Sequence, residues 1–212
     1  FSPQDEAGGA NGHHFAGVSG DWSGNFLNWA TMTRIDVIRK ALFGGKRAVD
    51  TTSQTVLERA LLPSDVHSFV KVFDAAAIGD STANYTPYNQ TVISLCNSTP
   101  ASTGLTENIN TGINPPKLRI ASGDWGRWAA DEVLQCLWHE ERITAGLAGT
   151  GSSPGSSPGQ SSNLFAPSGS GAPSVRVDVC VANKLEENCR IYNSGTEAKP
   201  IGLLQEYGED KT

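Results

Sequence analysis

Ser23-Gly-Asn-Phe-Leu-Asn-Trp-Ala-Thr-Met-Thr-Arg-Ile-Asp-Val-Ile-Arg-Lys-Ala-Leu42 is the longest stretch of the chain with helical periodicity. Leu27, Thr31, Ile35, Ile38 and Leu42 recur at three or four residues and share one face, flanked by Ala30, Val37 and Ala41. Asp21 or Ser23 can cap the first turn, and Gly44-Gly45 supplies the left-handed backbone that ends a helix. Burying Leu27, Ile35, Ile38 and Leu42 would contribute about 1.5–3 kcal/mol each before chain entropy is subtracted. The spacing therefore predicts one amphipathic helix over 23–42 that needs a sheet to cover its apolar edge.

The later strand-like runs supply that sheet. Thr91–Cys96 clusters β-branched and apolar residues between turn signals, and Lys117–Ala121 is short and strand-like. Val175, Val177, Val179 and Val181 alternate with Arg176, Asp178 and Cys180, which predicts a strand with one apolar face. Thr55–Leu62 fits a helix or a strand and stops at Pro63. After Ser122-Gly-Asp124 a second helix is expected over about 126–141, with Trp128, Ala129, Val133, Cys136 and Leu137 at helical spacing. Strand, turn, helix is half of an α/β unit. Short helices are expected at Leu185–Tyr192 and Pro200–Tyr207.

The 212 residues fit one domain with long polar insertions. Residues 1–22 read as an irregular lead-in. Residues 145–174, with Gly-Ser-Ser-Pro-Gly-Ser-Ser-Pro-Gly at 151–159, read as a flexible insertion too polar to offset its ordering entropy. A net charge of −6 argues against sequence-independent nucleic-acid binding, which needs a basic surface. No apolar run is long enough to span a membrane.

Cys96, Cys136, Cys180 and Cys189 lack Cys-x-x-Cys spacing, so zinc-ribbon, thioredoxin-like and c-type haem readings fall away. Two disulfides in an oxidising compartment fit the even count, and Cys180 and Cys189 are close enough to close a short loop. Four buried thiols in a cytosolic protein fit it as well.

Chemistry-bearing patterns are sparse. Gly-x-Ser-x-Gly, a P-loop and His-Glu-x-x-His are absent, so no enzyme is expected. His13-His14 and His139-Glu-Glu141 read as solvated loop and helix-end residues. Asp21-Trp-Ser23-Gly-Asn25 and Asp124 are weak candidates for a divalent cation; capping explains Asp21, Ser23 and Asp124 without one. Asn84, Asn89 and Asn97 begin glycosylation acceptor triplets.

Several stretches together resemble the PilY/PilC family, the type IV pilus tip-associated adhesin and assembly proteins of bacteria. They are Ser23–Asp36, Arg39-Lys-Ala-Leu-Phe-Gly-Gly45, Thr55-Val-Leu-Glu-Arg-Ala60, Ser122-Gly-Asp-Trp125 and Val133–Trp138. Val179-Cys-Val181, Leu185–Tyr192 and Lys199–Gly208 complete the set. The resemblance implies an α/β fold, part of a von Willebrand factor A-like domain with helices packed on a sheet and long polar insertions. It implies surface attachment, pilus biogenesis and motility, with pilins, minor pilins and a host or abiotic surface as partners. The expected location is extracytoplasmic: periplasm, outer surface or pilus tip.

The family's metal-adhesion motif Asp-x-Ser-x-Ser is missing, and Asp21-Trp-Ser23-Gly-Asn25 departs from it at the last position. The family's calcium site lies in a β-propeller that these residues do not contain. No cofactor is therefore expected here, while the resemblance leaves room for a divalent cation in a complete protein. The chain reads as the inserted middle of the domain. A secreted carbohydrate-active or glycan-binding domain is the alternative, with five tryptophans for stacking and Asp124 and Glu140 as paired carboxylates.

Overall fold

The computed structural model describes residues 1–3, 8, 14, 22–63, 66–99, 115–130, 135–144, 146, 157–164 and 172–208. It is a mixed α/β arrangement of short helices and small sheets, and every strand–strand ladder among the described residues is antiparallel.

The centre is a three-stranded sheet in the order β3 (Phe69–Asp74), β4 (Val92–Ser98), β5 (Lys117–Ser122). Successive side chains of β4 point to opposite faces, and both faces are covered, so six of its seven residues are buried. Ile93 and Leu95 join Leu118 and Ile120 of β5 on one face, where Phe26 and Ala30 of helix α1 (Gly24–Thr31) seat against them. Cys96 and Ala121 face the other way and pack on Trp128, Cys136 and Trp138.

The run from 23 to 42 is two helices. α1 ends at Thr31, Met32 and Thr33 are extended, and α2 (Arg34–Phe43) starts afresh. Thr33 accepts from the Asp36 N–H while Asp36 accepts from the Thr33 N–H, a reciprocal cap that satisfies orphan donors and fixes the restart. The two halves separate the expected stripe. Phe26, Ala30 and Thr31 are buried, but no residue of α2 is, and Ile35, Ile38 and Leu42 are exposed. The covered edge is thus confined to α1.

A second sheet has the order β1 (Arg47–Asp50), β2 (Thr55–Glu58), β6 (Arg176–Val179), so the first half of Thr55–Leu62 is a strand and residues 59–62 are neither helix nor strand. β7 (Cys189–Tyr192) and β8 (Glu197–Pro200) form a hairpin where a helix over Leu185–Tyr192 was expected; the Cys189 tether and the β8 ladder override its helical spacing. Pro200 closes β8, and helix α4 begins only at Leu203, running to Gly208.

The expected helix over 126–141 is also absent as a unit. Residues 126–129 form turns, residues 131–134 lie outside the described set, and α3 covers only His139–Thr144. Cys136 has φ +60° and is bonded to Cys96, so no α-helix can run through it. Trp128 and Trp138 pack with ring centroids 4.7 Å apart and their planes tilted by 42° beneath the sheet, and Trp128 Nε1 donates to the Leu137 carbonyl at 2.7 Å.

Part of the Gly/Ser-rich insertion is docked. The His139 backbone N–H donates to the Pro158 carbonyl at 2.9 Å, and Asn163 bridges Ala121 on the outer edge of β5. Of residues 145–174, all but 146, 157–164 and 172–174 lie outside the described residues, as does most of the 1–22 lead-in.

Candidate interaction surfaces

All four cysteines are paired. Cys96–Cys136 joins the buried face of β4 to the tryptophan layer, and Cys180–Cys189 closes the loop between β6 and β7. Glu186 lies beside the second bridge and accepts from the Cys180 N–H at 2.8 Å. Both sulfurs there are already bonded to each other, so the trio offers no thiolate.

Of the candidate cation ligands, Asp21 lies outside the described residues. Ser23 is buried as the N-cap of α1, its Oγ accepting from the Phe26 N–H at 3.3 Å. Asp124 accepts from the Gly126 N–H at 2.9 Å in an exposed turn. The two lie apart, Ser23 as a helix cap and Asp124 accepting within its own turn, where no helix follows.

The acidic helix start is solvated only in part: Glu140 is exposed, His139 and Glu141 are half-buried, and both carboxylates hold backbone groups. Glu141 pairs with Arg119 and accepts from the Trp138 N–H at 2.8 Å, while Glu140 accepts from the Gln160 N–H at 2.7 Å. Asp124 and Glu140 therefore serve separate backbone groups. Trp128 and Trp138 are fully buried and Trp125 half-buried, which leaves Trp29, 43% exposed, as the most open indole. Lys71 lies over its ring, 5.0 Å from the centroid.

His14 is also not a free loop residue. Its Nε2 lies 2.8 Å from Asp80 Oδ2, and its ring meets Tyr85 edge-on at 4.9 Å. Asp80 further accepts from the Tyr85 hydroxyl at 2.7 Å, the Ser81 N–H at 2.7 Å and Asn84 Nδ2 at 2.6 Å. The Tyr85 and Ser81 contacts, with those of Asn84 and His14, hold the Asp80 carboxyl well below the ordinary range. His13 lies outside the described residues.

Two surface features remain for recognition. A cleft of about 900 Å³ opens between α1, α2 and the β1-β2-β6 sheet, with Leu27, Met32, Leu57 and Val177 on its walls. Glu58 at its base is held by Lys46 at 2.6 Å and Arg176 at 2.7 Å. At one side of the cleft the Phe1 nitrogen donates to the Arg176 carbonyl at 2.8 Å and the Asp178 N–H donates to the Phe1 carbonyl at 2.9 Å, the pattern of a parallel strand on the outer edge of β6.

The second feature is an apolar face made by α2 and α4. It is assembled backbone to backbone. A side chain at Gly202 would collide with Leu42 and Phe43, and one at Gly44 (φ +81°) with Pro200. Such contact lets the two helices touch at their ends with their apolar residues turned outward.

Residues 1–121 match the family model described as PilY1 homolog, small alpha/beta domain. The chain is 34% identical, over 95% of its length, to a type IV pilus biogenesis factor PilY1 homolog of Xylella fastidiosa strain Temecula1. A second protein of that name from the same strain is 32% identical over 91% of the chain. The chain spans 13% of the length of each of these relatives. No solved structure matches it. On the family match over residues 1–121, which runs through α1, α2 and β1–β5, the chain belongs to the PilY1 homolog family.

Proposed function

We propose that the chain is a non-enzymatic module of a type IV pilus biogenesis factor, acting through its surface in pilus assembly and attachment. The observation that carries this reading is 34% identity across 95% of the chain to a protein of that name. Pilins and minor pilins would be its partners on the pilus side, a host or abiotic surface on the other, and motility would depend on both. The two disulfides support an extracytoplasmic setting, up to the pilus tip. Among the described residues no helix is long and apolar enough to cross a membrane.

Its place would be within a larger von Willebrand factor A-like region, as one compact unit needing no cofactor of its own. The antiparallel sheets described here would then be an elaboration on that domain, and the Phe1 pairing along β6 is a parallel contact in keeping with it. A glycan-binding role has Trp29 as its support, though Lys71 occupies one side of that ring.

The test is a strain whose full-length protein lacks residues 23–45, compared with one carrying the intact protein. Loss of surface pili and of attachment, with the protein still exported, is expected. Normal piliation and attachment would overturn the proposal.

A further inference from the structure

Helix α2 is docked with its polar edge inward. Its least exposed residues are Asp36, Arg39 and Phe43, which share one face at helical spacing, with the N-cap Thr33 at its start. Asp36 fixes that orientation: Oδ1 accepts from the Ala60 N–H at 2.7 Å while Oδ2 caps the helix start. Ile35, Val37, Ile38 and Leu42 are left to solvent, Ile38 at 51% exposure.

Helix α4 repeats the arrangement. Leu203, Leu204 and Tyr207 are exposed, Leu204 at 61%. The two apolar edges are brought together where Gly202 abuts Leu42. A reciprocal cap, an aspartate anchor and two glycines at close backbone contacts thus hold an outward apolar face in one fixed shape. Scattered apolar residues on a surface need no explanation, but seven exposed ones on two abutting helices mark an interface.

We infer that this α2–α4 face is a permanent intramolecular interface, covered by another part of the full-length polypeptide. Three considerations choose that occupant. The chain spans 13% of each relative's length, so most of such a protein lies outside these residues. A covalently linked surface meets the face at a high effective concentration and covers it at all times, whereas a transient partner would leave it bare between encounters. Permanent interfaces are also the apolar class, resembling a domain core cut in half. Arg34 and Lys40 on α2 and Glu206 on α4 are exposed, so the covering surface should be apolar at its centre with charges of both signs at its rim, carboxylates towards α2 and a cation towards α4. The inference rests on family membership and geometry, and it stands whether or not the pilus role does.

The test is thiol labelling of the full-length protein. The four cysteines of this region are disulfide-bonded, so an introduced thiol here is the reactive one. Ile38→Cys and Leu204→Cys probe the face, and Ile78→Cys, exposed in the turn after β3, is the open reference. Labelling at 38 and 204 should be slower than at 78 by about tenfold or more, independent of protein concentration, because a covered thiol reacts only on opening. Hydroxyl-radical footprinting of the unsubstituted protein should likewise spare Tyr207 relative to Ile78, once each rate is divided by the intrinsic reactivity of its side chain. Equal labelling at all three positions would overturn the inference. Protection that disappears on dilution would also overturn it, in favour of a second copy.

Discussion

Asn97 Nδ2 donates to the Ala30 carbonyl at 2.8 Å, fastening the central strand β4 to helix α1 from inside the core. The other end of the same amide accepts from the Arg59 guanidinium, which also donates to the Ser98 carbonyl at 3.0 Å and the Ala60 carbonyl at 3.3 Å. Burial lowers the Arg59 pKa to about 10, which leaves it charged at neutral pH. Asn97→Leu would leave a buried carbonyl and part of a buried cation unpaired. It should cost about 3 kcal/mol in denaturant unfolding. Adding Arg59→Met should cost less than the sum of the two single changes, because the second removes the charge the first had stranded. Asn97 is fully buried, so the glycosylation acceptor it begins should stay unmodified in the folded protein.

The two disulfides should differ in both accessibility and worth. Cys96 and Cys136 are fully buried, whereas Cys189 is half-buried. Mild reductant with mass-spectrometric thiol counting should therefore open Cys180–Cys189 first. On the chain-entropy model the bridge spanning 40 residues of separation contributes about 4 kcal/mol and the one spanning 9 about 2.7 kcal/mol. Removing Cys96 and Cys136 together should accordingly destabilise more than removing Cys180 and Cys189.

Asp80 should confer an acid-dependent stability. Its folded pKa lies below that of the unfolded chain, so its contribution is fully present above the ordinary carboxylate value and is lost as pH falls through the folded value. Burial and the same contact raise the Tyr85 hydroxyl to about 12, which keeps it a donor at neutral pH. Asp80→Asn should lower the melting temperature at pH 7, and the gap to the unsubstituted protein should shrink below about pH 4. A gap unchanged down to pH 2 would mean that the cluster does not hold the carboxylate.

The central strand is legible because β4 is covered on both sides and reads as a compact run from Val92 to Cys96. The division of the first helix is harder to see. Helical spacing carries across Met32-Thr33 without a gap, and only Thr33-x-x-Asp36 announces a new start. Trp128 and Cys136 recur at helical spacing for another reason: a disulfide and a sheet face gather them from turns. Leu185–Tyr192 looks helical until Cys189 is tethered and paired with β8. The Asp80 cluster draws His14 from a distant segment, and no local spacing records such a contact. Disulfide partners were only half legible, since Cys180 and Cys189 are near in sequence while Cys96 and Cys136 meet through the fold.

The most direct measurement compares Phe26→Ala with Ile38→Ala in the 212-residue chain by denaturant unfolding. Phe26 is buried against the β3-β4-β5 sheet and Ile38 points to solvent. Phe26→Ala should cost about 3–5 kcal/mol and Ile38→Ala no more than about 0.5 kcal/mol. Equal losses at both positions would mean that one continuous helix lies buried along its whole length, contradicting the division between a seated α1 and an outward-facing α2.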